Sequence, residues 1–247
     1  MNSRSLFKEC NSWSDFQSLL LAFNNKEKGD AFELLTKLHF KLNPIYDFYD
    51  EVWLLDEVPQ KDLDALKLPS QDLGIDLIAK IGNEYHAIQC KYHSDETQNV
   101  TFREVSTFLQ LLESNKKITL GYICSSAGDM SKNYHKIQKK QVQEILIDTW
   151  KKLDGEFYNK ARKFLSNKIV KDKPLVPYKH QKKAIKEAKK YFINEDNDRG
   201  KLIFPCGSGK SLTGYWITEA LESNSTLIAV PSLSLVKQTL EVYLREI

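Results

Sequence analysis

Residues 72–92 read DLGIDLIAKIGNEYHAIQCKY, and this stretch decides the fold. Two apolar, β-branched and aromatic runs, residues 74–81 and 84–92, flank Gly82-Asn83, a pair that readily takes up the positive φ angles of a tight hairpin turn. The pattern predicts a β-hairpin. Because strand side chains alternate between faces, Gln89 and Lys91 share one face of the second strand, with Asp76 on the neighbouring strand within reach. Polar residues in an antiparallel hairpin ordinarily mark its solvated face. Here an acid, an amide and an amine converge in an otherwise apolar pair of strands. A carboxylate that holds Mg2+ and a lysine that supports an attacking water or carries transition-state charge are groups that phosphodiester hydrolysis requires.

Outward from the hairpin, Ser14 with Gln17 reads as a capping box, and Phe16, Leu19, Leu20 and Phe23 predict a first helix over residues 15–23. Asp30 reads as the N-cap of a second helix that buries Phe32, Leu35 and Leu38. Glu33 falls on another face, where it either completes that cap or supplies a further carboxylate. EVWLL at residues 51–55 is a strand, residues 62–66 form one helical turn, and Pro69 ends it. Asp72 is a loop aspartate left outside the metal set. Thr101 with Glu104 caps a helix with Phe102, Val105, Phe108, Leu109 and Leu112 on one side, and residues 118–124 are the next strand. The order is αβββαβ. Residues 131–140 then read as a helix, 144–148 as a strand and 150–166 as a closing helix interrupted at Gly155.

An Asp, about a dozen residues, then Gln-x-Lys at the end of a second strand resembles the PD-(D/E)XK nuclease core, and the spelling GIDLIA…AIQCK resembles its Mrr-like branch. The resemblance implies an α/β, restriction-endonuclease-like fold with Asp76, Gln89 and Lys91 as catalytic residues. Gly29-Asp30-Ala31-Phe32-Glu33 is similar to the helix that precedes the sheet in Mrr-like nucleases, which adds Glu33 to the catalytic set and, with Asp76, to the Mg2+ ligands. Gln89 stands where Asp or Glu is commoner. One anionic ligand is thereby lost, and the number of metal ions stays open.

The chain has 247 residues, of which 41% are hydrophobic, enough for one complete domain and part of another. Cys10, Cys90, Cys124 and Cys206 form no C-x-x-C pair, so neither a zinc site nor a disulfide framework is indicated. With a polar N-terminus and no membrane-length apolar run, the expected setting is cytoplasmic, without a membrane partner. The net charge is +3, yet residues 160–190 hold twelve Lys or Arg against Asp172 and Glu187. Such a segment attracts a polyanion such as double-stranded DNA, or is a solvated linker and helix face.

Residues 1–166 thus form the predicted nuclease domain, and the basic, Pro-containing residues 167–177 a linker. In residues 178–247 an amphipathic helix containing Ala184, Ile185, Ala188, Tyr191 and Phe192 precedes a strand at 201–204, which runs into Pro-Cys-Gly-Ser-Gly-Lys-Ser. This is a phosphate-binding pattern: Gly207 and Gly209 turn backbone N–H groups to phosphate, Lys210 reaches the β- and γ-phosphates of ATP, and the Ser211 hydroxyl binds Mg2+. The full P-loop spacing would put a glycine at Phe204, and the shorter form here resembles that of superfamily 2 helicases and translocases. In that resemblance Gln181 of Pro-Tyr-Lys-His-Gln reads the adenine edge, and a strand at 226–230 followed by Pro231-Ser232 touches the DNA backbone.

Nuclease followed by motor resembles the N-terminal part of single-chain Type ISP restriction-modification enzymes. It implies an ATP-driven DNA translocase carrying a nuclease, with methyltransferase and target-recognition domains further along the polypeptide. About 70 residues are too few for a motor domain of about 150, so an incomplete RecA-like segment that does not hydrolyse ATP by itself is expected. Two other readings remain: a different phage-defence nuclease-helicase fusion, and a DNA-binding module whose nuclease fold is inactive.

Overall fold

In this computed structural model, which describes residues 3–68, 74–136, 142–167, 175–205, 208–231 and 233–244, side chains that accept otherwise unpaired N–H groups set the helix starts. After the turn α1 (Ser3–Leu6), the Ser12 hydroxyl accepts the Asp15 N–H at 3.1 Å, so α2 (Trp13–Leu20) is capped by Ser12 rather than Ser14. Helix α3 (Asn25–Leu42) starts five residues before the expected position. Asn24 and Glu27 form a reciprocal capping box, with bonds of 3.0 and 2.9 Å, that outweighs the cost of about 1 kcal/mol for Gly29 inside a helix. Asp30 is therefore an exposed residue inside the helix and not its N-cap, and Glu33 has no part in the cap.

Strand β1 (Glu51–Leu54) is followed by α4 (Gln60–Leu66), longer than the single turn expected. The hairpin forms as predicted from β2 (Leu77–Ile81) and β3 (Glu84–Lys91), with Gly82 at φ +56°. After the short β4 (Asn99–Val100), the Thr101/Glu104 capping box opens α5 (Phe102–Ser114), and β5 (Ile118–Ser125) runs parallel to β3. Strand β6 (Asp129–Met130) pairs with β4, ahead of α6 (Lys132–His135), β7 (Val142–Ile145), α7 (Ile147–Trp150) and α8 (Gly155–Leu165).

The last strand lies two residues earlier than expected, because the chain turns into α7 where the Ile147 N–H bonds the Ala127 carbonyl at 3.2 Å and the Trp150 indole bonds the Ser125 carbonyl at 2.7 Å. The Asp154 carboxylate caps α8, so Gly155 opens that helix instead of interrupting it. The predicted helix at 131–140 is described only as far as α6, and its remainder lies largely outside the described residues.

The main sheet has the order β1-β2-β3-β5-β7, antiparallel from β1 to β3 and parallel thereafter. Alternation splits the core between its two faces. Ile88, Cys90 and Cys124 pack with Phe32, Leu35 and Trp150, while Ala87 and Ile123 pack with Val105, Phe108 and Leu112 of α5.

On the α5 face, the buried Asp62 of α4 accepts hydrogen bonds from Lys80 at 2.7 Å and from the Tyr85 hydroxyl at 2.6 Å. Burial raises its carboxyl, but these two bonds and the lysine charge outweigh that and hold it below the ordinary 3.8. A depressed carboxyl stabilises the fold above its unfolded value, and that contribution disappears as the pH falls through the folded one. Asp62→Ala is expected to lower unfolding stability by about 1–3 kcal/mol at neutral pH by leaving the buried Tyr85 hydroxyl without its acceptor. Urea unfolding at pH 7 and pH 3 checks this, and the difference from the parent should shrink at the lower pH.

The contacts divide the chain into units Met1–Val170 and Lys171–Ile247. The second contains α9 (Lys179–Lys189), a π-helical turn at Lys190–Asn194, α10 (Lys210–Ala220) and α11 (Leu233–Leu244). Neither expected strand, 201–204 or 226–230, forms. A strand exists only through a ladder partner, and among the described residues neither run has one. Leu202, Ile203, Leu227 and Ile228 are accordingly exposed.

Candidate active site and phosphate-binding loop

Asp76 lies one residue before β2, where the hairpin ladder is adjusted. Its N–H bonds the Ile88 carbonyl at 2.9 Å, its carbonyl accepts the Leu55 N–H at 2.9 Å, and its carboxylate accepts the Cys90 N–H at 2.6 Å. The acid is thus fixed at the peptide between Gln89 and Lys91. Gln89 is buried, and among the described residues its Oε1 has no hydrogen-bond partner. Gly74, at φ +83°, crosses beside it, and a Cβ there would stand 3.1 Å from Gln89 Nε2. Lys91, half-buried, ends β3 on the same face as Gln89.

Glu33 lies on α3, close enough for its charge to act on the Cys90 thiol. One turn further along, the Thr36 side chain hydrogen-bonds Cys90, and Phe32 packs on Tyr92 with ring centroids 5.8 Å apart. Burial pushes the Cys90 thiol well above its ordinary value, and the charges of Asp76 and Glu33 push it in the same direction. Asp76 is thus bonded to the main chain between Gln89 and Lys91, and Glu33 stands within electrostatic range of Cys90. Asp72 lies outside the described residues. Among the described residues, no group of three or more His, Cys, Asp or Glu side chains is arranged to hold a metal. The oxygen donors that these residues carry are the Asp76 and Glu33 carboxylates and the Gln89 amide oxygen. That suits Mg2+, which binds through one or two carboxylates and keeps several waters.

Sequence reasoning missed the residues that hold the chain beyond Lys91. Glu96 accepts from the Trp13 indole and the Gln17 amide, both at 3.0 Å, and pairs with Lys151 at 2.5 Å. Glu104, besides capping α5, stands 3.3 Å from the His93 ring and feels the charges of His93 and Lys91. Ser125 and Ser126 are fully buried at the end of β5. The only signal for the serines in the sequence is a polar pair directly after an apolar strand, which also reads as a turn.

In the second unit Gly209, at φ +76°, caps α10, and a Cβ there would lie 2.5 Å from Gln181 Nε2. The buried Gln181 bonds at both ends: its Oε1 accepts the Tyr178 N–H at 2.8 Å, and its Nε2 donates to the carbonyls of Ser208 and Gly209 at 3.4 and 3.3 Å. Lys210 donates to the Phe204 and Pro205 carbonyls at 3.4 and 3.5 Å, and Ser211 is exposed on the first helical turn. An amine and a hydroxyl at the N-terminus of an eleven-residue helix are donors that suit phosphate. Gly207 lies outside the described residues.

Residues 41–163 match the family model Mrr_cat_2, described as restriction endonuclease, and residues 174–246 match ResIII, described as type III restriction enzyme, res subunit. No curated protein matches the chain significantly. A solved structure, the ATP-dependent Type ISP restriction-modification enzyme LlaBIII bound to DNA, matches 96% of the chain with a TM-score of 0.73 and 28% sequence identity. The chain spans 15% of the length of that protein. With the hairpin and the αβββαβ order, these matches identify the first unit as a restriction endonuclease domain of the Mrr-like PD-(D/E)XK kind, followed by a helicase-like ResIII segment.

Proposed function

We propose that the first unit is a Mg2+-dependent DNA endonuclease centre, with Asp76, Gln89, Lys91 and Glu33 as its working residues. The observation that carries this reading is the Asp76 carboxylate fixed at the Gln89–Cys90 peptide, beside a buried Gln89 oxygen without a partner among the described residues. Asp76, Glu33 and Gln89 Oε1 would hold Mg2+. When bound, the ion supplies Lewis-acid polarisation of the phosphate and a more acidic water. Lys91 brings positive charge to the oxygens on which negative charge develops. The DNA-bound state of LlaBIII supports double-stranded DNA as substrate, and so does the row of exposed Lys182, Lys183, Lys186 and Lys189 on α9.

Residues 1–166 would act as the nuclease domain, residues 167–177 as a linker, and residues 178–247 as the start of an ATP-dependent motor. Methyltransferase and target-recognition domains would lie elsewhere in the same polypeptide. In the motor Gly207, Gly209, Lys210 and Ser211 would hold the phosphates and Mg2+ of ATP. Gln181 braces the loop through its bonds to Ser208 and Gly209, and contact with adenine would require it to exchange them. Among the described residues no helix is long and apolar enough to cross a membrane. Cys10, Cys90 and Cys124 are free thiols, which suits a reducing, cytoplasmic setting.

Metal removal tests the reading. The full-length polypeptide, supplied with ATP, should nick and cut plasmid DNA in Mg2+. To separate nuclease metal from motor metal, the DNA is first bound and translocated in limiting Mg2+, and excess Ca2+ is then added. Cleavage should fall to background while the protein stays on DNA, and excess Mg2+ should restore it. Cleavage that persists unchanged in excess EDTA would refute a metal-dependent centre.

A further inference from the structure

We propose that Ser126, assisted by Ser125, is the positioning residue for Lys91. The inference rests on the catalytic reading of that lysine. Strand β3 ends at Lys91, whose ladder partner on β5 is Ser125, and beyond this pair the regular register stops. A lysine on the last residue of a strand would ordinarily sit on a main chain free to fray. Here the Lys91 carbonyl accepts two hydrogen bonds, from the Ser125 hydroxyl at 2.7 Å and from the Ser126 N–H at 3.2 Å. Two residues further on, the Ser126 hydroxyl accepts the His93 N–H at 2.6 Å and donates to the His93 carbonyl at 2.9 Å.

One hydroxyl thus serves both main-chain groups of His93, as a neighbouring strand would. The backbone from Lys91 to His93 is fixed on both sides of Tyr92. The serines are themselves held. The Ala127 N–H bonds the Ser125 hydroxyl at 3.1 Å, the Trp150 indole bonds the Ser125 carbonyl at 2.7 Å, and both serines are fully buried. Productive geometry at a catalytic group must be held to about 0.5 Å, and a displacement of about 1 Å costs on the order of a hundredfold in rate. A clamp on the backbone that carries Lys91 meets that need.

The test is single-turnover DNA cleavage by the full-length polypeptide with ATP and Mg2+, comparing parent, Ser126→Ala, the near-isosteric Ser126→Cys and Lys91→Ala. A positioning role predicts that the rate constant of both Ser126 variants falls about ten- to a hundredfold, while reaction amplitude and DNA affinity stay at the parental values. A merely structural role would lower the amplitude, since unfolded molecules do not cut and folded ones cut normally. The proposal is overturned if the loss is confined to amplitude, or if both Ser126 variants cut at the parental rate while Lys91→Ala is inert. Should Lys91→Ala itself cut at the parental rate, the catalytic reading falls and the positioning role with it, a pattern distinct from either of the others.

Discussion

Lys91→Ala is expected to lower single-turnover DNA cleavage by at least about a hundred- to a thousandfold, the scale seen when one donor to a developing oxyanion is removed, with the fold and DNA binding unchanged. The lysine backbone is held by Ser125 and Ser126, and its side chain is half-buried at the end of β3, so truncation leaves the main-chain hydrogen bonds in place. What is lost is one positive charge at the end of the strand that carries Gln89. Water entering the space is neutral and cannot replace it. Measured in the full-length polypeptide with ATP and Mg2+, cleavage by Lys91→Ala at the parental rate would reduce the nuclease centre to a likeness of fold.

Asp76 should give a different result according to its replacement, because its carboxylate has two tasks. One is the bond to the Cys90 N–H; the other, in the proposed reading, is Mg2+. Asp76→Asn keeps an oxygen acceptor for the N–H but loses the charge, so it should fold like the parent and cleave DNA at least about a hundredfold more slowly. Asp76→Ala should be equally inactive and also less stable by about 1–3 kcal/mol, the usual cost of leaving a buried donor unsatisfied. Urea unfolding separates the two variants. Equal stability would mean that the 2.6 Å bond contributes nothing to the fold.

The hairpin was legible because its signals agree: two β-rich runs, a Gly-Asn turn between them, and polar residues spaced to share a face. The α5 start was legible for the same reason, with Thr101 and Glu104 forming the expected reciprocal cap. Helix α3 was placed too late because Gly29-Asp30 reads as a boundary, whereas Asn24 and Glu27 had already satisfied the first N–H groups. Asp76, Gln89 and Lys91 were proposed from spacing and Glu33 from a resemblance, but the bond between Asp76 and the Cys90 N–H could not be read from either, since it is made to a main-chain group. Ser125, Ser126 and Glu96 escaped because their partners are distant in sequence or are main-chain groups that carry no side-chain signature. Residues 201–204 and 226–230 show the opposite failure. Their composition suits a strand, but pairing rather than composition makes one.

Manganese binding tests the centre most directly, since Mn2+ substitutes for Mg2+ and is visible by electron paramagnetic resonance. The full-length polypeptide would be titrated with Mn2+ in the presence of a phosphorothioate duplex and absence of nucleotide, for the parent, Asp76→Asn and Lys91→Ala, each also carrying Lys210→Ala to weaken the phosphate-loop site. A bound-Mn2+ signal is predicted for the parent and for Lys91→Ala, and its loss in Asp76→Asn. Equal Mn2+ binding by the parent and Asp76→Asn would contradict the assignment of a metal centre to the end of this hairpin.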